Sequence, residues 1–147
     1  MPNDTHKCAY LGLLKRGNFK FYASKDIKIS KELDFDIKSS QNTSLEHFCA
    51  ALLSAICLAL KEHFRRENIA LNECEGKIKL EIINPLSYLG VIGYDEECKI
   101  SSIDIRVYLS FDGQISSLDE FCFKALKKCI LFQSVKDKVN IAFLEVL

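Results

Sequence analysis

The segment from Thr43 to Leu60, TSLEHFCAALLSAICLAL, constrains the fold of this chain most strongly, because it is long and almost entirely apolar. At its start, Thr43 and Glu46 have the spacing of a capping box, in which each side chain accepts a hydrogen bond from the other residue's backbone N–H. The segment therefore predicts a helix that runs to about Arg66. Its apolar residues cover more than one face, which is typical of a helix in the middle of a domain.

Length, charge and hydrophobicity place the chain among single-domain globular proteins. Its 147 residues fit one domain, 1–147, and the 48% hydrophobic content is sufficient for a core. The 20 basic residues balance the 20 acidic ones, so no nucleic-acid or membrane partner is expected. The longest apolar run, Phe48 to Leu60, is shorter than the roughly 20 residues that span a bilayer. Since the N-terminal residues also lack the apolar core of a signal peptide, we expect a cytoplasmic protein.

The remaining elements indicate an α+β fold. Ser117 and Glu120 form a second candidate capping box, which begins a helix to about Lys128 or beyond. Other segments alternate apolar and polar residues as half-buried strands do, and a short third strand at Ile27–Ile29 is optional. The resulting order is β-β-(β)-α-β-β-α-β, and it predicts a mainly antiparallel sheet with two central helices. The main strand segments are 8–15, 18–24, 76–84, 102–111 and 139–147.

Seven cysteines are many for a chain of this length. The number is odd and no CxxC occurs, so neither a disulfide framework nor a zinc finger is expected. His47 and His63 lie too far apart in sequence to act as a helical ligand pair, and we predict neither a metal nor a cofactor. Buried free cysteine most often acts as a small hydrophobic residue. The cysteines are at positions 8, 49, 57, 74, 98, 122 and 129.

Two cysteine-bearing segments resemble the OsmC/Ohr family, whose members reduce organic hydroperoxides through two cysteines. LEHFCAALLSA is similar to the family's first-helix motif, and ALKKCILF is similar to its second, with Cys129 in the cysteine position. The resemblance implies an OsmC-like fold, a homodimer, a hydroperoxide substrate and a dithiol reductant. It implies Cys57 and Cys129 as the catalytic pair. In Ohr-type members a Glu near the start of helix one supports the thiolate, and here that residue is Glu46, which the capping box explains equally well.

The position of the first cysteine leaves two hypotheses open. When the motif is aligned without gaps from Glu46, the family's cysteine falls on Ala55, and Cys57 lies about 200° further around the helix. One hypothesis is a thiol peroxidase that uses Cys57 and Cys129. The alternative is an OsmC-fold protein without peroxidase activity, in which Cys57 is core and an apolar small molecule binds between the helices. Arg16 is the only arginine in the N-terminal region, but it falls in a predicted turn.

Overall fold

A five-stranded sheet of order β2-β1-β3-β4-β5 forms the base of the fold. The computed structural model describes residues 4–23, 32–33 and 42–147, and the optional strand at Ile27–Ile29 lies outside them. Three of the strand pairs are antiparallel, and β4 and β5 are parallel, so the predicted α+β class and mainly antiparallel sheet are confirmed. The strands are β1 (Thr5–Lys15), β2 (Asn18–Tyr22), β3 (Ala70–Ile83), β4 (Lys99–Asp112) and β5 (Val139–Glu145).

Helix α1 (Ser44–Arg66) packs on one face of this sheet. Both halves of the predicted capping box are formed: the Glu46 N–H donates to Thr43 Oγ1 at 3.2 Å, and the Thr43 N–H donates to Glu46 Oε1 at 3.3 Å. By length and composition alone, α1 could also cross a membrane. Its position is that of a core helix, because one side of it is buried against the strands. The buried residues of α1 are Glu46, Cys49, Leu52, Leu53, Ile56, Cys57, Leu60 and Phe64.

Two glycines let α1 approach the sheet closely. Gly12 on β1 and Gly76 on β3 lie opposite each other in the antiparallel register, both beneath Leu53 of α1. A Cβ at position 76 would lie 2.8 Å from Leu53 Cδ2, and one at position 12 would lie 3.3 Å from Leu53 Cδ1. The paired glycines therefore form the hollow that receives the Leu53 side chain.

The second helical region differs from the prediction. It divides into α3 (Leu118–Leu126) and α4 (Ile130–Val135), so the helix predicted to continue to about Lys128 ends earlier. Cys129 is in extended backbone conformation at the N-cap of α4. The break is stabilised because the Leu126 carbonyl, freed at the end of α3, accepts hydrogen bonds from the Cys129 N–H and from Gln133 Nε2. The redirected chain also buries Phe132.

The connection between β3 and β4 is irregular. It contains a one-turn helix, α2 (Pro85–Tyr88), followed by turns with positive φ at Gly90 and Gly93. All residues from 88 to 99 are exposed. A 3-10 turn, Lys136–Lys138, leads from α4 into β5.

Candidate functional site

The thiol of Cys57 faces the sheet and meets a cysteine that the sequence analysis did not select. Cys57 Sγ lies 3.4 Å from Cys74 Sγ on β3, and the Cys74 thiol donates to the Cys57 sulfur. Neither residue is exposed to solvent. Helical spacing carries Cys57 to the sheet side of α1 together with Leu53, Leu60 and other core residues.

The hydrogen bond to Cys57 raises the pKa of the Cys74 thiol well above its usual value, and burial raises it further. Negative charge at Cys57 and at Cys122 contributes in the same direction. Cys74 therefore stays protonated at neutral pH and remains a donor. The Cys57 sulfur is thus the acceptor of the pair and Cys74 is its donor.

Cys129, the other predicted member of the pair, lies at the junction of α3 and α4. It is 4% exposed. Within the described part of the chain, no hydrogen bond links Cys129 to Cys57. Cys122 and Cys129 are both buried, but the break after Leu126 means that they do not share one continuous helix.

Glu46 lies in the first turn of α1, where it completes the capping box. Cys57 follows it by eleven residues, or about 16 Å along the helix axis. Burial raises the pKa of the Cys8 and Cys49 thiols, and the charge of Glu46 adds to the rise at both. Burial is the larger cause at each cysteine, and burial also raises the pKa of the neighbouring Tyr10 hydroxyl. The two thiols and the Tyr10 hydroxyl therefore stay protonated at neutral pH, so the cluster is a structural one.

Ala55, on which the ungapped family motif places its cysteine, is half-buried. It lies on the side of α1 away from Cys57, near Leu58, whose side chain is 49% exposed. The short helix α4 also exposes apolar side chains, with Ile130 80% and Leu131 41% accessible. Leu58 of α1 and Ile130 and Leu131 of α4 are thus exposed apolar side chains of the helix layer.

Among the residues that the structure describes, neither an arginine ion pair nor a cluster of potential metal ligands is found beside Cys57. Arg16 lies in the β1–β2 turn with φ 52°, and the arginine ion pairs in the described ranges are those of Arg65 and Arg66 with Glu62. The part of the chain that the structure describes contains no group of three or more His, Cys, Asp or Glu side chains that could hold a metal ion. The cleft between α1 and the second helical region is small, about 240 Å³, and Ala59 and Ala125 line it together with four charged or polar residues, Glu62, His63, Arg66 and Lys128.

A sequence signal for Cys74 was available. From Gly76 to Asn84 apolar and polar residues alternate, with Ile78, Leu80 and Ile82 on one face of the predicted strand. Extending that period towards the N-terminus places Gly76 and then Cys74 on the same face. Because β3 begins at Ala70, this extension holds, and Cys74 points at α1.

Comparisons with known proteins agree on one family and fold. A family model described as OsmC-like protein matches residues 37–143. An OsmC-like protein from Mycoplasma pneumoniae has a similar crystal structure, with a TM-score of 0.61 at 11% identity over 100% of this chain and 99% of that one. The organic hydroperoxide resistance protein OhrB of Bacillus subtilis gives a TM-score of 0.54 at 16% identity over 74% and 73% of the two chains. No curated protein matches the chain.

Proposed function

The chain belongs to the OsmC-like protein family, and we propose that it is a thiol-dependent peroxidase that reduces organic hydroperoxides through Cys57 and Cys74. Family membership is consistent with a peroxidase-like role. The observation that carries the proposal is the 3.4 Å contact between the two sulfurs. A cysteine sulfenic acid needs a second thiol within reach to form a disulfide, and Cys74 is already in place.

In the proposed reaction, the Cys57 thiolate attacks one oxygen of the hydroperoxide. An S–O bond forms and the O–O bond breaks, giving Cys57 sulfenic acid and an alkoxide that takes up a proton to become the alcohol. The Cys74 sulfur then attacks the sulfenic sulfur. The S–S bond forms, the S–O bond breaks, and water leaves with the Cys74 proton. A dithiol reductant restores both thiols by exchange.

The surroundings of the pair favour apolar hydroperoxides. Both thiols belong to the main hydrophobic core, which is formed by α1 and the inward faces of the strands. A substrate that reaches Cys57 must leave water, and desolvation costs less for an alkyl or aryl hydroperoxide than for hydrogen peroxide. We therefore expect a higher kcat/KM for the apolar substrates.

Turnover measurements with matched cysteine variants test this assignment. The wild type, Cys57→Ala, Cys74→Ala and Cys129→Ala would each be given cumene hydroperoxide and a dithiol reductant. We expect Cys57→Ala to abolish turnover and Cys74→Ala to reduce it strongly, with Cys129→Ala close to wild type. If Cys129→Ala is as inactive as Cys57→Ala, the resolving thiol is Cys129, and the assignment of Cys74 is wrong.

A second candidate function is supported by a different observation. Cys57 has no exposed surface, while the aligned position of the family's cysteine holds Ala55. On this hypothesis the protein keeps the fold without the peroxidase chemistry and acts by binding a small molecule. Absence of hydroperoxide consumption by the reduced, folded wild type would favour it.

We also propose that the protein is a homodimer in the cytoplasm. The exposed apolar side chains of Leu58, Ile130 and Leu131 lie on the helix layer, where a second copy would cover them. The cysteines that the structure describes are all free thiols, which suits a reducing compartment.

A further inference from the structure

The outer face of the sheet, opposite α1, carries a groove of about 920 Å³. One row of paired residues crosses all five strands along it: Tyr22 on β2, Leu11 on β1, Lys77 on β3, Arg106 on β4 and Ala142 on β5. At about 4.8 Å between strands, the row is about 19 Å long. Two cations therefore occupy its middle, with apolar side chains on either side.

The two central cations are directly opposite each other. Lys77 and Arg106 are cross-strand partners, and like charges in such a pair destabilise a sheet. Neither makes a salt bridge within the part of the chain that the structure describes; Lys77 has only the ring of Tyr108, 5.3 Å from its Nζ. In the adjacent row, Lys79 pairs with Asp104, which also accepts a hydrogen bond from Asn140. The groove lining therefore carries three cations and one carboxylate, and Lys77 and Arg106 are its like-charged cross-strand pair.

We infer that this groove binds a small amphipathic carboxylate. The carboxylate would lie between Lys77 and Arg106, where it relieves their repulsion and can be held by both nitrogens of the guanidinium. The apolar part would extend over Leu11 towards Tyr22, whose side chain is 50% exposed. The volume falls within the range of sites for small organic ligands. Since the thiols lie on the opposite face of the sheet, this site is independent of the proposed peroxidase chemistry.

Charge and shape together select this occupant. A purely apolar ligand would leave the cationic pair unneutralised, and a simple anion would leave the apolar ends of the row uncovered. A molecule with one negative group and one apolar arm satisfies both parts of the row. The site should therefore discriminate between a carboxylate and its neutral ester.

Fluorescence titration with 1-pyrenebutyrate, a small fluorescent carboxylate with an apolar arm, tests the inference on the full folded chain. We expect saturable binding to the wild type and binding at least tenfold weaker for its methyl ester. Arg106→Gln and Lys77→Gln should each weaken carboxylate binding by about tenfold and leave ester binding unchanged. Lys7→Gln, which removes an exposed cation from β1 outside the groove, is the matched control and should bind as the wild type does.

Two further measurements separate loss of the site from loss of the fold. Ala142→Tyr should narrow the groove beside Arg106 and weaken carboxylate binding without changing the charge of the groove. Urea unfolding of the ligand-free protein should show that Lys77→Gln and Arg106→Gln are no less stable than the wild type, because each removes a repulsion. The inference is overturned if the wild type binds carboxylate and ester equally, or if it binds inorganic phosphate as tightly as the carboxylate. It is also overturned if the wild type binds no carboxylate and Ala142→Tyr changes only the oligomeric state.

Discussion

The sulfurs of Cys57 and Cys74 are 3.4 Å apart although 17 residues separate them in sequence. The helix period brings one to the underside of α1, and the strand period brings the other to the upper face of β3. Closing a disulfide would require the sulfurs to approach by a further ~1.4 Å. This is within reach of side-chain rotation and small backbone shifts, so the contact has consequences that can be measured.

Oxidation should cross-link α1 to β3. After treatment with an organic hydroperoxide, mass spectrometry of a digest should identify a Cys57–Cys74 disulfide. A closed loop of this length stabilises a protein by up to about 3 kcal/mol in the chain-entropy model, less any strain. We therefore expect urea unfolding of the oxidised protein to shift to higher concentration, with no shift for Cys74→Ala. A Cys57–Cys129 disulfide, or two free thiols at positions 57 and 74, would contradict this prediction.

The hollow beneath Leu53 should make Gly76 intolerant of a side chain. Because the added Cβ of Gly76→Ala would lie 2.8 Å from Leu53 Cδ2, we expect a loss of about 1–3 kcal/mol in the free energy of unfolding. Leu53→Ala alone should cost about 2–5 kcal/mol. In the double variant Gly76→Ala/Leu53→Ala the clash is absent. Its loss in the free energy of unfolding should therefore be smaller than the sum of the losses of the two single variants. Additive losses in urea unfolding would show that Gly76 does not contact Leu53.

The start of α1 gives a prediction that separates capping from catalysis. Thr43→Ala removes the acceptor of the Glu46 N–H and should lower the free energy of unfolding by about 1 kcal/mol. Ser44→Ala, one residue later, is the control and should have a smaller effect. Glu46→Gln keeps an acceptor for the Thr43 N–H, so hydroperoxide turnover should stay at the wild-type level. Loss of turnover in Glu46→Gln with an intact fold would instead give Glu46 a role at the thiols.

The sequence was sufficient for features that depend on local pattern. The capping box at Thr43 and the strand alternation predicted α1 and the strands, because hydrogen bonding and burial there follow fixed periods. The break before Cys129 was not predictable, since Lys127 and Lys128 are compatible with a continuing helix. It depends on the amide of Gln133 and the burial of Phe132, which are tertiary contacts.

The same limit explains the candidate site. A single sequence contains no information on which strand residue lies beneath a given helix residue. The partner of Cys57 could therefore be inferred only from the family resemblance, which implies Cys129. The contact of Leu53 with Gly76 fixes α1 on β3, and Cys57, one helical turn after Leu53, then meets Cys74, two residues before Gly76. Only the side of β3 that carries Cys74 could be predicted.

Self-association should depend on the apolar surface of the helix layer. Leu58→Lys and Ile130→Lys each place a charge on an exposed apolar position, which should shift a dimer towards monomer in sedimentation velocity measurements. Ile92→Lys is the matched control, because Ile92 is 98% exposed in the β3–β4 connection, away from the helix layer. A wild type that sediments as a monomer at micromolar concentration would contradict the proposed dimer. If only Ile92→Lys dissociates the dimer, the interface lies at the β3–β4 connection and not on the helix layer.

The stability of the fold should fall at alkaline pH because of its buried thiols. Burial, with a smaller contribution from the charge of Asp119, raises the pKa of Cys122 from 9.0 to about 12. Between these values the unfolded chain loses a proton that the folded chain keeps, so its contribution to stability is complete below pH 9 and is lost as the pH rises towards about 12. Cys49 and Cys74 act in the same direction.

Urea unfolding at a series of alkaline pH values should show a declining free energy of unfolding, with a shallower decline in Cys122→Ala. Leu126→Ala, which removes buried apolar atoms from the same helix without a titratable group, should lower the stability yet keep the wild-type slope. Equal slopes in all three proteins would mean that Cys122 does not titrate differently in the folded and unfolded states.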